Sequence, residues 1–331
     1  MPQALQIGAL LEPGLRSEAA QVYRPRYEGV KARIGEVMWM EGTSDKFQEV
    51  FGFLEAPQYL TWWPAGSPIP SGSIGSQRYV IINRDFARRV YLPRNVEDDQ
   101  TGTSMQFARM IAEAYSILPE ECFYQIMTNT SYNGTTAPLP VIPTSADGNA
   151  LYLSSTRYGS ASGNVVSVSS TSTVQGVITD ILSVKRRFLE FLNTQSRPFW
   201  NASQVNALSV FHGTSLTMVM QQAEFQTRTP WEVTAGANGT GQTPTNLLRE
   251  AGLSIQYTNS VRISDTSYYV WLRGLPNELR PLWRQVRKGY TEWQGNFVTS
   301  DHSRDTGETY VQGDCREGYG SILALGTIRV S

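Results

Sequence analysis

One long amphipathic segment constrains the fold of this chain more than anything else in it. Gly102 and Thr103 open the segment, Thr103 with Gln106 forms a capping box, and Phe107, Met110, Ile111, Ala114 and Leu118 recur at helical spacing. Pro119 followed by Glu120 and Glu121 suits a fresh first turn, and Cys122, Phe123 and Ile126 carry the apolar face onward. The spacing predicts one kinked helix to about residue 128, roughly 40 Å long at 1.5 Å per residue.

Upstream, residues 1–42 mix Pro, Gly and Arg, including Arg24 and Arg26, without sustained periodicity. They read as an arm that a free monomer could scarcely bury in its own core. Phe47, Val50, Phe51 and Leu54 then fall on one helical face behind Asp45, which predicts a short helix over 43–55. Tyr59 to Trp63 and Arg78 to Asn83 read as two strands around the small-residue stretch 64–76, a long hairpin spanning 56–84. Its Trp62, Trp63 and Ile69 are a liability in a monomer unless a partner covers them, so they, with Arg78, are expected at contacts between subunits. Alanine at Trp62 and Trp63 is therefore expected to impair assembly more than folding. A third strand, Ala87 to Pro93, leads into the acidic turn Glu97, Asp98 and Asp99.

Downstream, residues 129–171 are rich in Ser, Thr, Gly, Asn and Pro, with short strands expected at Leu151 to Leu153 and Val165 to Val168 and little contribution to a core. A second helix starts at the capping box Ser172 with Gln175 and places Val174, Val177, Ile178, Ile181, Leu182, Phe188, Leu189 and Leu192 on an apolar face. Ala207 to Phe211 reads as a strand, Thr214 to Ala223 as a short helix, and 234–245 as a loop. Strands follow at Leu253 to Tyr257, Tyr268 to Arg273, Arg280 to Val286, Thr309 to Asp314 and Ser321 to Val330. The order is that of an α+β chain in which both ends supply strands.

Composition excludes several function classes. No segment approaches the roughly 18 uncharged apolar residues of a membrane span. The opening Met1 to Leu11 lacks the layout of a secretory signal, so export is not expected. Lys plus Arg number 28 against 29 Asp plus Glu, so no global positive field holds nucleic acid, and any contact with DNA would be local and weak. Cys122 and Cys315 are the only cysteines, and their spacing suggests neither a disulfide framework nor a metal knuckle. With only His212 and His302, a Ser-His-Asp arrangement or a histidine metal cluster has almost no material. Glu97, Asp98 and Asp99 offer oxygen ligands to a hard cation, but such a run also complements a helix N-terminus as a solvated turn. Neither a GxxxxGK[ST] loop nor a GxGxxG after a strand occurs, so no cofactor and no enzyme activity are expected.

Particular residues sharpen this outline. The run Asn83-Arg84-Asp85-Phe86, Val90-Tyr91-Leu92-Pro93-Arg94, Val96-Glu97-Asp98-Asp99 and Gly102 resembles the signature stretch of Mu-like phage major head subunits. Leu118-Pro119-Glu120-Glu121 with Phe123, Asp147 to Tyr152 with Gly163-Asn164, and Glu308 to Asp314 leading to Gly318-Tyr319-Gly320 continue the likeness. It is most specific over 83–128 and weak between 195 and 260.

The resemblance implies an HK97-type capsid fold: an N-terminal arm (1–42), an extended loop (56–84), a peripheral domain (85–129 and 286–331) and an axial domain (130–285). It implies a head protein of a tailed double-stranded DNA phage or prophage, assembled in the host cytoplasm and found in the virion. The implied partners are copies of itself in hexamers and pentamers, portal and scaffolding proteins, a decoration protein, and packaged DNA by weak contact. Arg24, Arg26, Glu97, Asp98 and Asp99 join the hairpin residues as expected inter-subunit contacts. Some shells of this fold are locked by Lys-to-Asn isopeptide bonds from the extended loop, but Gln58 to Arg94 contains no Lys, so a non-covalent shell is expected. The alternative is the shell of a protein-filled nanocompartment of the same fold.

Overall fold

The computed structural model describes residues 34, 41–54, 76–93, 103–128, 145, 149–155, 163–168, 173–192, 198–228, 248, 251–263, 266–276, 279–295, 305–306, 308–321 and 323–331. Two sheets share one helix. The first has the order β1-β9-β10-β4, built from β1 (Glu41–Thr43), β4 (Arg84–Pro93), β9 (Leu282–Gly295) and β10 (Glu308–Ser321). The second has the order β5-β11-β8-β6-β7, built from β5 (Val165–Val166), β6 (Ala207–His212), β7 (Ser254–Asn259), β8 (Tyr268–Leu272) and β11 (Thr327–Val330). A two-stranded hairpin, β2 (Gln48–Leu54) with β3 (Ser76–Ile82), stands on the first sheet. The helices are α1 (Thr103–Thr128), α2 (Val174–Glu190) and α3 (Thr217–Arg228).

Helix α1 runs unbroken through Pro119 for 26 residues, as its pattern predicts, but the buried stripe is displaced from the expected one. Ala108, Ile111, Ala112, Tyr115, Leu118, Cys122, Phe123 and Ile126 are buried, whereas Met110 is 61% exposed and Ala114 faces solvent. Apolar residues at 110, 111 and 114 fit two overlapping stripes, and the sheet selects the one carrying the small residues that permit close approach. Its N-terminal half lies on the first sheet, with Tyr115 stacked on Tyr290 of β9 at 4.6 Å. Its C-terminal half lies on the second, where Phe123 meets Phe211 of β6 at 5.5 Å and Trp271 of β8 at 5.6 Å, both edge-to-face.

The inner strands β8 and β6 of the second sheet are buried on both faces. Tyr269 and Trp271 turn toward α1, while Tyr268, Val270 and Leu272 pack with Val177, Ile181, Val184 and Phe188 of α2. This explains why Tyr268–Leu272 is apolar without alternation: a strand covered on both sides needs none.

Several expectations are corrected. Residues 48–54 form a strand rather than a helix, because Gly52 weakens a helix, Val50, Phe51 and Phe53 favour a pleated surface, and Ser76–Ile82 offers a partner for every residue. Ser76–Ile82 pairs with Gln48–Leu54; Tyr59 to Trp63, the partner expected from sequence, lies outside the described residues. The arm is partly core: Ile34 is buried against α1 and β9, and Glu41–Thr43 pairs in parallel with β9. Leu151 to Leu153 is not a strand, yet Leu151 and Tyr152 are buried. Helix α2 is capped by Thr173, whose hydroxyl accepts from the Gly176 amide at 3.1 Å, one residue past the expected Ser172. Leu189 lies on its exposed side. The strand expected over Ser321 to Val330 is divided: Ser321 ends β10, Ala324–Gly326 is a 3-10 turn, and Thr327–Val330 pairs in the second sheet with β8.

Candidate assembly surface

Strand β10 organises the first sheet by strict alternation. Thr309, Val311, Gly313, Cys315, Glu317 and Tyr319 point inward toward α1, and Tyr310, Gln312, Asp314 and Arg316 point outward. Glu317, completely buried, receives two hydrogen bonds from the Arg284 guanidinium, at 2.7 Å from Nε and 2.6 Å from Nη2. The Tyr115 and Tyr319 hydroxyls donate to its two oxygens as well. A buried carboxylate is tolerable here because all its lone-pair directions are answered and a bidentate cation neutralises it. The cluster ties α1, β9 and β10 together.

Three glycines of β10 let other elements approach. A Cβ at Gly313 would stand 2.6 Å from Ile111 of α1 and from Tyr290. On the opposite face, a Cβ at Gly318 would meet Ile81 and Gln285 at 2.8 Å, and one at Gly320 would meet the Tyr79 hydroxyl at 2.6 Å. The hairpin base thus rests directly on backbone, and the Ser321 amide donates to Tyr79 at 3.0 Å. Burial pushes the Tyr79 hydroxyl well above its ordinary range, so it stays neutral. Asn83 completes the anchor. Its amide donates to Ser44 Oγ at 2.8 Å and to the Lys46 carbonyl at 2.7 Å, and its Oδ1 accepts from Gln285 at 2.9 Å.

Beyond that footprint the outer face of the first sheet carries, among the described residues, exposed and half-buried polar and aromatic side chains. Arg89 of β4 donates to Gln312 at 2.8 Å and lies over the Tyr310 ring at 4.4 Å, and Tyr310 meets Tyr91 edge-to-face at 6.0 Å. Lys288 pairs with Asp314, Arg316 reaches Asp85 at 3.4 Å, and the Arg316 guanidinium sits 5.5 Å from the half-exposed Phe47 ring. Among the described strands β4 bounds this face, hydrogen-bonded to β10. The exposed tyrosine and arginine side chains along β4 have the composition of a protein contact surface.

Of the residues singled out from sequence, Arg24, Arg26, Trp62, Trp63, Ile69, Glu97, Asp98 and Asp99 lie outside the described residues. Arg78 is placed by its backbone alone, opposite Gly52 in the hairpin. His212 is buried at the end of β6 with Nδ1 2.9 Å from the Gly213 carbonyl, and burial lowers its affinity for a proton. Cys122 and Cys315 are both free and buried, with their thiols pushed well above the ordinary range by desolvation. Among the described residues no group of His, Cys, Asp and Glu is arranged to hold a metal ion, and no helix is long and apolar enough to cross a membrane.

The motif residues have structural work. Asn83 anchors the hairpin, and Gly313, Gly318 and Gly320 admit α1 and β3. Asn164 is a second hub: its amide donates to the Leu151 carbonyl at 2.7 Å and the Thr327 carbonyl at 3.1 Å, while Oδ1 accepts from the Leu153 amide at 2.8 Å. Its neighbour Gly163 leaves no room for a side chain, since a Cβ would lie 1.8 Å from the Leu153 carbonyl oxygen. Sequence reading missed Arg284, Glu317, Arg89 and Tyr310. The available signal was parity, because Glu317 shares its side of the strand with Val311, Cys315 and Tyr319.

No protein-family model and no curated protein matches the chain in sequence. Solved structures do match in shape. The capsid of the cyanophage P-SCSP1u is 10% identical with a TM-score of 0.54, over 90% of this chain and 87% of that one. The capsid of Myoviridae phage XM1 is 10% identical with a TM-score of 0.53, over 91% of each chain. This chain has the HK97-type capsid fold. A virus-like particle from Pyrococcus furiosus shares it at 8% identity and a TM-score of 0.51, over 95% of this chain and 98% of that one.

Proposed function

We propose that the chain is the major capsid protein of a tailed double-stranded DNA phage or prophage, acting as a structural shell subunit without enzymatic activity. The observation that carries this reading is the end-to-end likeness to phage capsid subunits, about nine-tenths of both chains in two separate cases. The outer face of the first sheet supports it, since among the described residues Arg89, Tyr91, Tyr310 and Phe47 form an aromatic and cationic surface suited to contact with another copy. Many weak copies of one contact, summed over a closed shell, give strong assembly.

In this reading the first sheet with α1 is the peripheral domain, and the second sheet with α2 and α3 is the axial domain around five-fold and six-fold positions. The hairpin β2–β3 is the root of the extended loop. The Mu-like head subunits are the proposed subgroup, on the resemblance of the run from Asn83 to Gly102. Portal, scaffolding and decoration proteins are its expected partners in the virion, with assembly in the host cytoplasm. A near-balanced charge of −1 suits a lining that DNA can slide past, so contact with packaged DNA is weak and non-specific.

Electron microscopy of the purified full chain at high concentration tests this: closed shells, or rings of six and five, are expected, and a strictly monomeric particle overturns it. The second reading, a nanocompartment shell, draws on the Pyrococcus furiosus virus-like particle. Particles isolated from cells decide between the two, DNA inside supporting the phage head and a protein cargo supporting the compartment.

A further inference from the structure

Between α1 and the first sheet lies a carboxyl group that the ionic cluster does not include. Glu292 of β9 is completely buried and stands opposite Gly313 of β10, the glycine whose missing side chain lets Ile111 of α1 come close. Its Oε1 accepts a hydrogen bond from the Tyr290 hydroxyl at 2.7 Å, while Oε2 has no partner. Tyr290 in turn stacks on Tyr115 of α1, so the group sits under the helix within the same layer as the Glu317 cluster. Glu317 has a bidentate arginine; Glu292 has none.

Among the described residues the surrounding elements bring no compensating charge within reach. On β9, Lys288 turns outward to Asp314, and on β10 the inward residues are Gly313, Cys315 and Glu317, the last already neutralised by Arg284. On β4 the register places Arg88 beyond Gly313, where it is exposed to solvent. On α1 the nearest turns carry Tyr115, the exposed Arg109 and the half-buried Glu113. Desolvation pushes the Glu292 carboxyl up to about 7, with the Tyr290 hydrogen bond acting in the opposite direction.

We propose that Glu292 is a proton-operated fastener of α1: as the neutral acid it seats the helix on the first sheet, and as the carboxylate it loosens that seat. The unpartnered oxygen is the geometric reason, since an ionised group there has one donor, no cation and no water-exposed side. The sign follows from linkage. Between pH 4.5 and about 7 the folded chain keeps a proton that the unfolded chain has released. This contribution is therefore full below pH 4.5, declines through that window and is gone once pH passes about 7.

The test is equilibrium urea unfolding of the full chain and of Glu292→Gln across pH 4.5 to 9. The folding constant of the variant relative to the parent is expected to rise about tenfold per pH unit from 4.5 to about 7, approaching about 300-fold, then level. A ratio independent of pH overturns the proposal. Infrared spectra of the parent give a reading that needs no variant: a buried protonated carboxyl stretch present at pH 6 and lost by pH 8 supports it, and absence at pH 6 overturns it. Amide exchange at Ile111 to Tyr115, corrected for its intrinsic pH dependence, is expected to quicken above pH 7 in the parent only.

Discussion

Replacing Arg284 by Met isolates the energetic role of the buried cluster. Met occupies similar volume without charge, so the perturbation removes both guanidinium bonds to Glu317 and leaves a carboxylate with no exposed surface and only the Tyr115 and Tyr319 hydroxyls as donors. Breaking one partner out of a buried ion pair costs about 3–5 kcal/mol, chiefly because the remaining charge is uncompensated. Replacing Glu317 by Gln in the same chain removes that charge while keeping an acceptor for one tyrosine and a donor toward the other. The double variant should therefore be more stable than Arg284→Met alone by about 2 kcal/mol, although it carries more changes. Urea unfolding followed by circular dichroism of the non-assembled subunit measures both differences. A loss below about 1 kcal/mol for Arg284→Met, or a double variant less stable than the single, would refute the account of the cluster as a dry, mutually dependent unit.

Four further outcomes are expected. Gly313→Val forces a methyl into the space 2.6 Å from Ile111 and Tyr290, and should cost about 1–3 kcal/mol by lifting α1, measured as a lower melting temperature. Asn164→Leu strips a partner from the Leu151 and Thr327 carbonyls and the Leu153 amide, a loss of about 3 kcal/mol or more, checked by the same melts. The pair Arg89→Ala and Tyr310→Ala should leave subunit stability within about 1 kcal/mol of the parent, since Arg89 is exposed and Tyr310 half-buried on the outer face, while particle yield by sedimentation falls. Denaturing gels of mature particles should show single subunits and no ladder, because Gln58 to Arg94 has no Lys to form a bond from the loop.

Local pattern carried much of the architecture. A capping residue, a continuous 3.6-residue period and the absence of Gly within it predict α1 over its full observed span, and Pro119 does not break it. The apolar Tyr268–Leu272 run and the alternating Thr309 to Asp314 stretch are likewise legible as strands, because each period is a direct record of how many faces are covered, although β10 continues to Ser321. The motif residues were legible as a likeness, though not for what they do.

What the tertiary structure alone decided is which of several admissible local states wins. Residues 48–54 have apolar spacing compatible with a helix, and the strand at 76–82, far along the chain, turns them into a hairpin. Met110 and Ile111 are equal candidates for burial on α1 until Gly313 selects Ile111. Glu317 and Glu292 are two carboxylates on adjacent strands, and nothing local says that one meets an arginine 33 residues away while the other meets only a tyrosine. Sequence by itself determined the periods, the caps and the missing lysine, which depend on near neighbours. Pairing, facing and the charge state of buried groups depend on what distant segments bring, because desolvation and hydrogen bonding are set by surroundings rather than by order along the chain.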